Sequence, residues 1–127
     1  MTTQNPSQKA AHLKAALKAF TGTENWYRHA LFRQFLYTDG VKFLAGEAEC
    51  YWLLDRIFAL QYEQKTLPAE SFQSWDLIVQ DDKTALLKCH DGNYHPLHTE
   101  TIPYTDFPLP KITLFLIDNV LLLTTEY

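Results

Sequence analysis

The chain has 127 residues, of which 46% are hydrophobic and 14% aromatic. This length supports one hydrophobic core and is too short for two comfortable ones, so we expect a single domain over residues 1–127. The net charge of −4 is too small for a protein that mimics DNA by its acidic surface. It also argues against a nucleic-acid binder, whose surface is normally basic.

The first predicted element is an amphipathic helix near the start of the chain. Asn5 followed by Pro6 is a typical pair of N-cap and first helical residue. A narrow apolar stripe follows at helical spacing and consists of Ala10, Leu13, Ala16, Leu17 and Phe20. We expect Gly22 to end the helix. Because the stripe covers only part of the circumference, the helix should lie on the outside, over the core or over a partner subunit.

The segment over residues 23–37 has many large apolar residues but no clean period. Leu31 and Phe35 fit one turn of a helix, whereas Trp26 and Arg28 alternate as in a strand. The sequence therefore predicts a short extended piece near Trp26, followed by an irregular or helical turn.

The centre of the predicted core is a helical region over residues 38–64. Thr38 or Asp39 is the expected N-cap of a short first turn, Gly46 is the expected break, and the main helix follows over residues 47–64. One predicted face consists of Cys50, Leu53, Leu54, Ile57 and Leu60, and a second, aromatic face consists of Tyr51, Asp55, Phe58 and Tyr62. Two adjacent apolar faces indicate a helix that is buried on most sides.

The apolar period changes from that of a helix to that of a strand near residue 74. Three strands are indicated by the alternating residues Trp75, Leu77 and Val79, then Ala85, Leu87 and Cys89, then Ile112, Leu114 and Leu116. A less regular strand over residues 94–102 contains Pro96, which favours a sheet edge or a bulge. The last strand follows a tight turn at Asp118 and Asn119.

Together these elements predict an α+β fold. Two or three N-terminal helices, in about residues 1–66, should pack on one face of a C-terminal antiparallel meander of four or five strands, in about residues 74–127. The last hairpin is apolar on both faces, from Ile117 to Leu123. Either its strands are central in the sheet or a second subunit covers the open face. We therefore expect a homo-oligomer and favour a dimer.

The expected location of the protein in the cell rests on the start of the chain, its apolar runs and its cysteines. The first 14 residues lack the apolar core of a secretion signal, and no run of 18 apolar residues occurs. Cys50 and Cys89 lie far apart and form no CxxC pair. We therefore expect a cytoplasmic protein with two reduced thiols and no membrane contact.

Several stretches of the sequence resemble a known family. They are TENWYRH, YTDGVKFLA and YWLLD within residues 23–55, and IPYTDFPLPKITLFLIDNVLLLTTEY over residues 102–127. This combination resembles a small bacterial family, frequent in cyanobacteria, that is catalogued only as a domain of unknown function. The resemblance runs over most of the chain. It implies no activity, no cofactor and no assigned site residues.

Three histidines near the fourth strand have a spacing that resembles that of metal ligands. His90, His95 and His98 follow Cys89. In a strand, His95 and His98 point to opposite faces unless Pro96 marks a bulge, and His90 opposite His95 supplies at most half of a tetrahedral site. We therefore predict exposed histidines, no metal site and no cofactor.

A polar aromatic cluster is the main candidate for a binding site. It consists of Trp26, Arg28 and His29, with Asp39 and Asp106 as acidic partners. Such groups could perform general acid-base chemistry or hold an anion. No nucleophile motif or phosphate loop supports this role. The favoured structural alternative is an ion pair between Arg28 and Asp39 or Asp106, with Trp26 in the core.

Asp55 is a further candidate, because it lies on a helix face that should be mostly buried. A buried carboxylate needs a partner, for which Arg28, Arg56, a tyrosine hydroxyl or a backbone amide would serve. The favoured role is a structural hydrogen-bond hub. The repeated Tyr-Thr-Asp triplets at residues 37–39 and 104–106 are expected to cap local structure.

The sequence therefore predicts a non-catalytic binding or accessory protein that acts through protein-protein contacts. One alternative is a small enzyme or small-molecule binder with a polar pocket near Arg28, His29, Asp39 and Asp106. A second alternative is an accessory protein of a mobile element that inhibits a nuclease by contact. A closed pocket lined by those four residues would favour the small-molecule alternative.

Overall fold

One mixed sheet and three α-helices build the fold in the computed structural model of the chain, which describes residues 5–127. The α-helices are α1 (Pro6–Leu17), α2 (Asp39–Glu47) and α3 (Tyr51–Glu63). The strands are β1 (Trp26–Arg28), β2 (Leu36–Thr38), β3 (Phe72–Val79), β4 (Ala85–His90), β5 (Pro96–Ile102), β6 (Lys111–Ile117) and β7 (Val120–Leu123). Short 3₁₀ turns follow α3 and β7, at Leu67–Ala69 and Thr124–Glu126. Within residues 5–127, no helix has the length and apolar character needed to cross a membrane.

The seven strands of the described region form a sheet in the order β1-β2-β7-β6-β3-β4-β5. Neighbouring strands are antiparallel except β2 and β7, which run parallel. The α+β class is therefore confirmed, but the predicted C-terminal meander of four or five strands is wrong. β1 and β2 come from the first half of the chain, between α1 and α2, so helices and strands are not segregated. In addition, β6 pairs with β3 and not with β5.

The start of α1 follows the sequence prediction, but its end does not. The Gln8 amide donates to Asn5 Oδ1 at 2.8 Å, and the Asn5 amide donates to Gln8 Oε1 at 3.1 Å, so the two residues form a capping box. Leu13 and Leu17 are buried, as the apolar stripe predicts. The helix ends at Leu17, well before Gly22. The chain leaves it through turns in which the amides of residues 19 and 20 bond back to the last helical carbonyls, so no glycine is needed there.

The helical region over residues 38–64 is divided, but three residues later than predicted. The Thr38 hydroxyl accepts a hydrogen bond from the Val41 amide at 3.3 Å and caps α2, as predicted. Gly46 lies inside α2. The break comes at Glu49, whose φ of 52° reverses the chain before α3 begins at Tyr51. The break does not require a glycine, because Glu49 itself adopts the left-handed conformation.

The core lies between α3 and one face of the sheet. The predicted apolar face of α3 is buried, with Leu53, Leu54, Ile57 and Leu60 each at most 1% exposed. The same cluster of buried residues includes the sheet residues Trp75, Leu77, Leu87 and Leu114. This part of the prediction is confirmed, because alternating strand residues and a 3.6-residue helix period both specify which side chains share a face.

The predicted aromatic face of α3 is mostly wrong. Phe58 is buried and stacks on Phe35, with ring centroids 4.8 Å apart. By contrast, Tyr51 and Tyr62 are exposed. Trp26 is 56% exposed on β1, the outermost strand, so the prediction that it belongs to the core is wrong as well. These aromatic residues face solvent on the outer side of the helix and at the sheet edge, which hydrophobicity alone does not reveal.

β5 is the other outermost strand, as Pro96 predicts. Its pairing with β4 shifts register between Cys89 and His90, so the expected bulge is also present. His90 lies opposite Pro96, and Cys89 lies opposite His98. The predicted pairing of His90 with His95 is therefore wrong, because the hairpin turn is one residue longer on the His95 side.

A buried network of amide side chains connects α3 to β3, and the sequence pattern gives no sign of it. Gln61 and Gln73 exchange two hydrogen bonds of 2.9 Å, one in each direction. The Trp75 indole donates to the Gln73 carbonyl at 3.0 Å, and the Gln73 amide also donates to the Leu67 carbonyl at 2.8 Å. Buried polar groups are tolerated when they are fully paired, and these four residues satisfy one another.

The Glu126 carboxylate ties the end of the described chain to the start of α2. It accepts hydrogen bonds from the Thr38 hydroxyl at 2.6 Å, the Gly40 amide at 3.1 Å and the Leu123 amide at 2.9 Å. A Cβ atom at position 40 would lie 2.6 Å from Glu126 Oε1 and 2.6 Å from Leu123 Cδ1. We call this contact the Glu126 clasp. Glycine at position 40 leaves room for the clasp, because a Cβ atom there would force the side chain of Glu126 or Leu123 to move; φ at this position is not positive.

Alanine substitutions at the two glycines of α2 should have opposite effects on stability. Gly40→Ala should lower the free energy of unfolding by about 1–3 kcal/mol, because the methyl group overpacks the Glu126 clasp. Gly46→Ala should raise it by about 0.5–1 kcal/mol, because no atom lies within 4 Å of the added methyl group and alanine favours the helix. Urea denaturation of both variants measures the difference. Equal effects of the two substitutions would contradict the clasp.

Candidate functional site

A groove of about 730 Å³ lies between α3 and the loop that joins β1 to β2. Its apolar lining comes from Leu31, Phe32, Tyr37, Tyr51, Trp52 and Ala59. His29, Asp55 and Arg56 are its polar lining. We call it the α3 groove.

The rim of the α3 groove exposes large apolar side chains to solvent. Leu31 is 75% exposed, and Tyr51 is 43% exposed. Tyr62 is exposed too, and its ring stacks on that of Phe32 at 5.4 Å. Single exposed apolar residues are common on proteins, but a group of them around a concave surface is typical of a binding site.

His29 holds one wall of the groove through both of its ring nitrogens. Nδ1 accepts hydrogen bonds from the backbone amides of Leu31 at 3.1 Å and Phe32 at 3.0 Å. Nε2 lies 2.6 Å from Asp55 Oδ1. Because two amide donors face Nδ1, the ring proton must be on Nε2, which donates to Asp55. His29 is therefore the neutral Nε2–H tautomer in this arrangement.

This histidine-aspartate pair does not have the geometry of a catalytic dyad. In a Ser-His-Asp arrangement the carboxylate holds one nitrogen, and the other nitrogen is free to take a proton from the nucleophile. In His29 the second nitrogen already accepts two backbone hydrogen bonds. No lone pair is left for a substrate proton, so His29 orients the loop and Asp55 and does not act as a base.

Asp55 is more exposed than the sequence predicts and has a different partner. Its side chain is 58% exposed, so the expectation of a buried carboxylate is wrong, and its partner is His29 and none of the predicted groups. Only Oδ1 is hydrogen-bonded; Oδ2 makes no hydrogen bond to residues 5–127. The free oxygen is available to a ligand. Tyr51 and Tyr62, on the same predicted face as Asp55, are exposed too, whereas Phe58 on that face is buried, so helical spacing alone did not reveal the exposure of Asp55.

The lining of the groove contains one cation and one carboxylate. Arg56 is the cation in the lining, but its guanidinium donates to Glu100 at 2.7 and 2.8 Å and to Glu63 at 2.7 Å. Two carboxylates therefore surround one guanidinium, and Asp55 adds a third negative charge. Tyr37, which also lines the groove, has its pKa raised by burial and by the neighbouring Tyr51 and Asp55.

A comparison with protein families shows which family the chain belongs to. The model of a family described as a family of unknown function, DUF6876, matches residues 11–127. The chain belongs to this family. The sequence resemblance to a family without known function is thereby confirmed, and DUF6876 assigns no activity to the groove. No curated protein and no solved structure matches the chain.

Asp39 is the centre of a second hydrogen-bonded cluster, apart from the α3 groove. Its carboxylate accepts from the Tyr27 hydroxyl at 2.8 Å and from the amides of Glu24 at 3.0 Å and Asn25 at 3.2 Å. Its own amide donates to the Thr23 hydroxyl at 2.9 Å. The Tyr27 hydroxyl, followed by the two amides, lowers the pKa of Asp39 to about 2. The cluster fixes the chain entering β1 to the start of α2.

The polar aromatic cluster predicted from the sequence does not form one site. Arg28 donates to the backbone carbonyl of Arg33, so the predicted ion pair of Arg28 with Asp39 or Asp106 is wrong. Asp106 is exposed in the proline-rich connection before β6. Of the six residues predicted to bind a ligand, His29 and Asp55 share the α3 groove. Binding by any of them remains a prediction.

Most residues of the groove that were not predicted as site residues are apolar or aromatic, among them Leu31, Phe32, Tyr51 and Trp52. A search for polar and ionisable groups passes over such residues. The one available signal was the number of large apolar residues in a loop without a clear period. That number exceeds what a short connection needs for its own packing.

The histidines near β5 are dispersed. His95 bonds to Asp91 at 2.8 Å, and His98 bonds to Glu100 at 2.8 Å. His90 accepts a hydrogen bond from the Gly92 amide at 3.1 Å. His95 is exposed as predicted, whereas His90 and His98 are partly buried. Within residues 5–127, no group of three or more His, Cys, Asp or Glu side chains is arranged to hold a metal ion.

Asp39 should make stability depend on pH in a defined range. Its pKa is about 2 in the folded protein and about 3.9 in an unfolded chain. The contribution of Asp39 is therefore fully present above about pH 4 and is lost as the pH falls towards 2. The stability difference between the wild type and Asp39→Asn should be constant near neutral pH and should shrink in this range. Urea denaturation at several pH values measures it.

Asp106→Asn is the matched control for this prediction, because Asp106 is an exposed carboxylate outside the Asp39 cluster. Its stability difference from the wild type should stay near zero over the same pH range. A difference for Asp39→Asn that does not change between pH 5 and pH 2 would contradict the role of the Asp39 carboxylate.

Proposed function

We propose that this chain is a non-catalytic binding protein, and that the α3 groove receives an apolar segment of a partner protein that carries a lysine or arginine. The main observation behind this proposal is that an exposed apolar rim lies beside Asp55, whose carboxylate has one oxygen bonded to His29 and one oxygen free. Leu31 and Tyr51 would contact the apolar side chains of the partner. Asp55 Oδ2 would accept a hydrogen bond from the cation.

The geometry of His29 supports binding over catalysis. Its two amide contacts and its bond to Asp55 fix the loop and the carboxylate before any partner arrives. A site that is already ordered loses less conformational entropy on binding. The same contacts leave no free ring nitrogen, which a general base would require.

The shape of the groove supports a protein segment over a small molecule. Small-ligand sites usually enclose most of the ligand surface. The α3 groove is largely open to solvent. The polar pocket proposed from the sequence would need Arg28, His29, Asp39 and Asp106 to act together, but Arg28, His29 and Asp39 each bond to other groups. An open groove with an apolar rim is what an extended or helical segment of another protein fits.

Synthetic peptides test this proposal. One set should carry leucine and phenylalanine residues at helical spacing together with one lysine, and a sister set should have norleucine in place of the lysine. Titration into ¹⁵N-labelled protein should shift the amide signals of residues 29–32 and the indole signal of Trp52. Asp55→Asn should weaken the lysine peptide by about fivefold, because an exposed ion pair contributes up to about 1 kcal/mol. The norleucine peptide should bind both proteins equally.

Asp106→Asn is the control, because it removes the same charge far from the groove and should leave both affinities unchanged. Leu31→Ala should weaken both peptides, since the lost contact is apolar. The proposal is overturned if no peptide shifts the groove signals at millimolar concentration. It is also overturned if Asp55→Asn weakens the norleucine peptide as much as the lysine peptide.

We further propose that two copies of the chain associate through the sheet face that carries no helix. On this face the central strands present half-buried apolar side chains: Phe72, Phe115, Ile117, Val120 and Leu122. The rings of Phe72, Phe115 and Tyr127 contact one another, with centroids 4.9 to 5.9 Å apart. Arg28 and Lys88 lie towards the outer strands, so an apolar centre has a charged margin, as protein interfaces do. A second copy is the simplest cover, because pairs of identical sheets pack face to face.

Light scattering over a range of protein concentrations tests the association. The wild type should have twice the mass of the monomer, and Phe115→Lys should have the mass of the monomer. Leu31→Lys, which adds the same charge at the α3 groove, should leave the dimer intact. A monomeric wild type at every concentration would disprove this part of the proposal and would leave the peptide experiment unaffected.

A further inference from the structure

A second cleft lies between α1 and the start of β6, with a volume of about 470 Å³. Lys14 of α1 and Lys18, which directly follows α1, line one side, and Lys111 lines it from β6. Its apolar lining includes Leu17, Leu109 and Ile112. We call it the lysine cleft. It shares no lining residue with the α3 groove.

The three lysines of this cleft have no acidic partners. Within residues 5–127, none of them has a carboxylate oxygen within 4.0 Å of its ammonium group. Asp76 is next to the cleft on β3, but its carboxylate accepts a hydrogen bond from the Thr113 hydroxyl and lies 4.0 Å from His90. Three unpaired positive charges around one cleft repel one another, and this is unusual in a chain whose net charge is −4.

Apart from its lysines and two threonines, the lining of the cleft is apolar. Leu17 and Leu109 are buried, and Ile112 is partly buried. Lysine side chains add to such a surface, because their methylene stems cover apolar atoms while the ammonium groups remain in water. The volume is within the range of small-ligand sites, about 300–1,000 Å³. A ligand that fits must therefore combine a negative head with an apolar body.

We propose that the lysine cleft binds an amphipathic anion, namely a carboxylate or phosphate with a short aliphatic chain. The head group neutralises the ammonium groups of Lys14, Lys18 and Lys111. The chain lies on Leu17, Leu109 and Ile112. The hydroxyl of Thr124, which also lines the cleft, is a hydrogen-bond donor for the head group.

A purely structural account explains two of the lysines but not the third. Lys14 and Lys18 lie at the C-terminal end of α1, where positive side chains interact favourably with the helix dipole. The helix dipole does not explain the position of Lys111, because Lys111 is the first residue of β6 and not part of α1. The purely structural account also predicts no binding of an anion, so one titration separates it from the proposal.

Octanoate is the probe, used well below the concentration at which it forms micelles. Isothermal titration calorimetry should give one saturable site. Acetate, which has the head alone, and octanol, which has the chain alone, should bind at least tenfold more weakly. Octyl phosphate should bind at least as well as octanoate, because its head carries more negative charge. Vesicles of anionic phospholipid test a membrane surface as the source of the anion.

Substitution of the lysines locates the site. Lys14→Gln, Lys18→Gln and Lys111→Gln should each weaken octanoate by about threefold to tenfold, and the triple variant should abolish saturable binding. Lys88→Gln and Lys65→Gln are the controls, because they remove the same charge outside the cleft and should change the affinity less than twofold. All these lysines are exposed, so the variants should unfold at the temperature of the wild type.

The proposal is overturned if octanoate and octyl phosphate show no saturable binding. It is overturned equally if the control lysines reduce the affinity as much as the cleft lysines do, since the effect would then follow net charge alone. Binding to anionic vesicles without a site for monomeric octanoate would assign the lysines to a membrane surface and would also overturn it. None of these outcomes bears on the α3 groove, whose peptide carries a positive charge.

Discussion

The Glu126 clasp is the contact on which the rest of the fold depends. Its three hydrogen bonds join the ends of β2 and β7 to the first turn of α2, across 86 to 88 positions of sequence for the α2 side. β2 and β7 are the parallel pair that joins the strands of the first half of the chain to the rest of the sheet. Without this pair, β1 and β2 would be a separate hairpin of three-residue strands, which is too small to be stable in water. The clasp therefore reinforces the junction that joins β1 and β2 to the other five strands.

The α3 groove depends on the same contact, because its loop joins β1 to β2. The sheet holds one end of that loop through the pairing of β2 with β7. The Asp39 cluster holds the chain before β1, and His29 holds the loop itself through its amides and Asp55. We expect the backbone of a loop held by this many hydrogen bonds to move little when a partner binds. Hydrogen bonds from several parts of the chain thus hold the groove in place. Because these bonds fix the β1–β2 loop, its apolar side chains do not have to be buried to keep it ordered.

The parts of the fold that the sequence predicts are those set by local rules. The helix period identifies the buried face of α3, alternation identifies the covered face of β3, β4 and β6, and the Thr38 cap follows from residue type. β2 was not found in this way, because it has only three residues and two of them pair with β7, more than 80 positions away. The partner of Asp55 is 26 positions distant, at His29. Hydrophobicity also gave no means of telling the exposed Tyr62 from the buried Phe58 on the same helix face.

Charge along the chain is an equally poor guide to charge on the surface. The first 63 residues carry seven Lys and Arg against six Asp and Glu, and the remainder carry four against nine. The Asp55 carboxylate of the α3 groove nevertheless comes from the less acidic half, and Glu100 from β5 in the acidic half pairs with Arg56 of the groove. The lysine cleft takes Lys111 from the acidic half. Folding thus brings together charged residues from both halves of the chain, and the small net charge does not reveal how they are grouped on the surface.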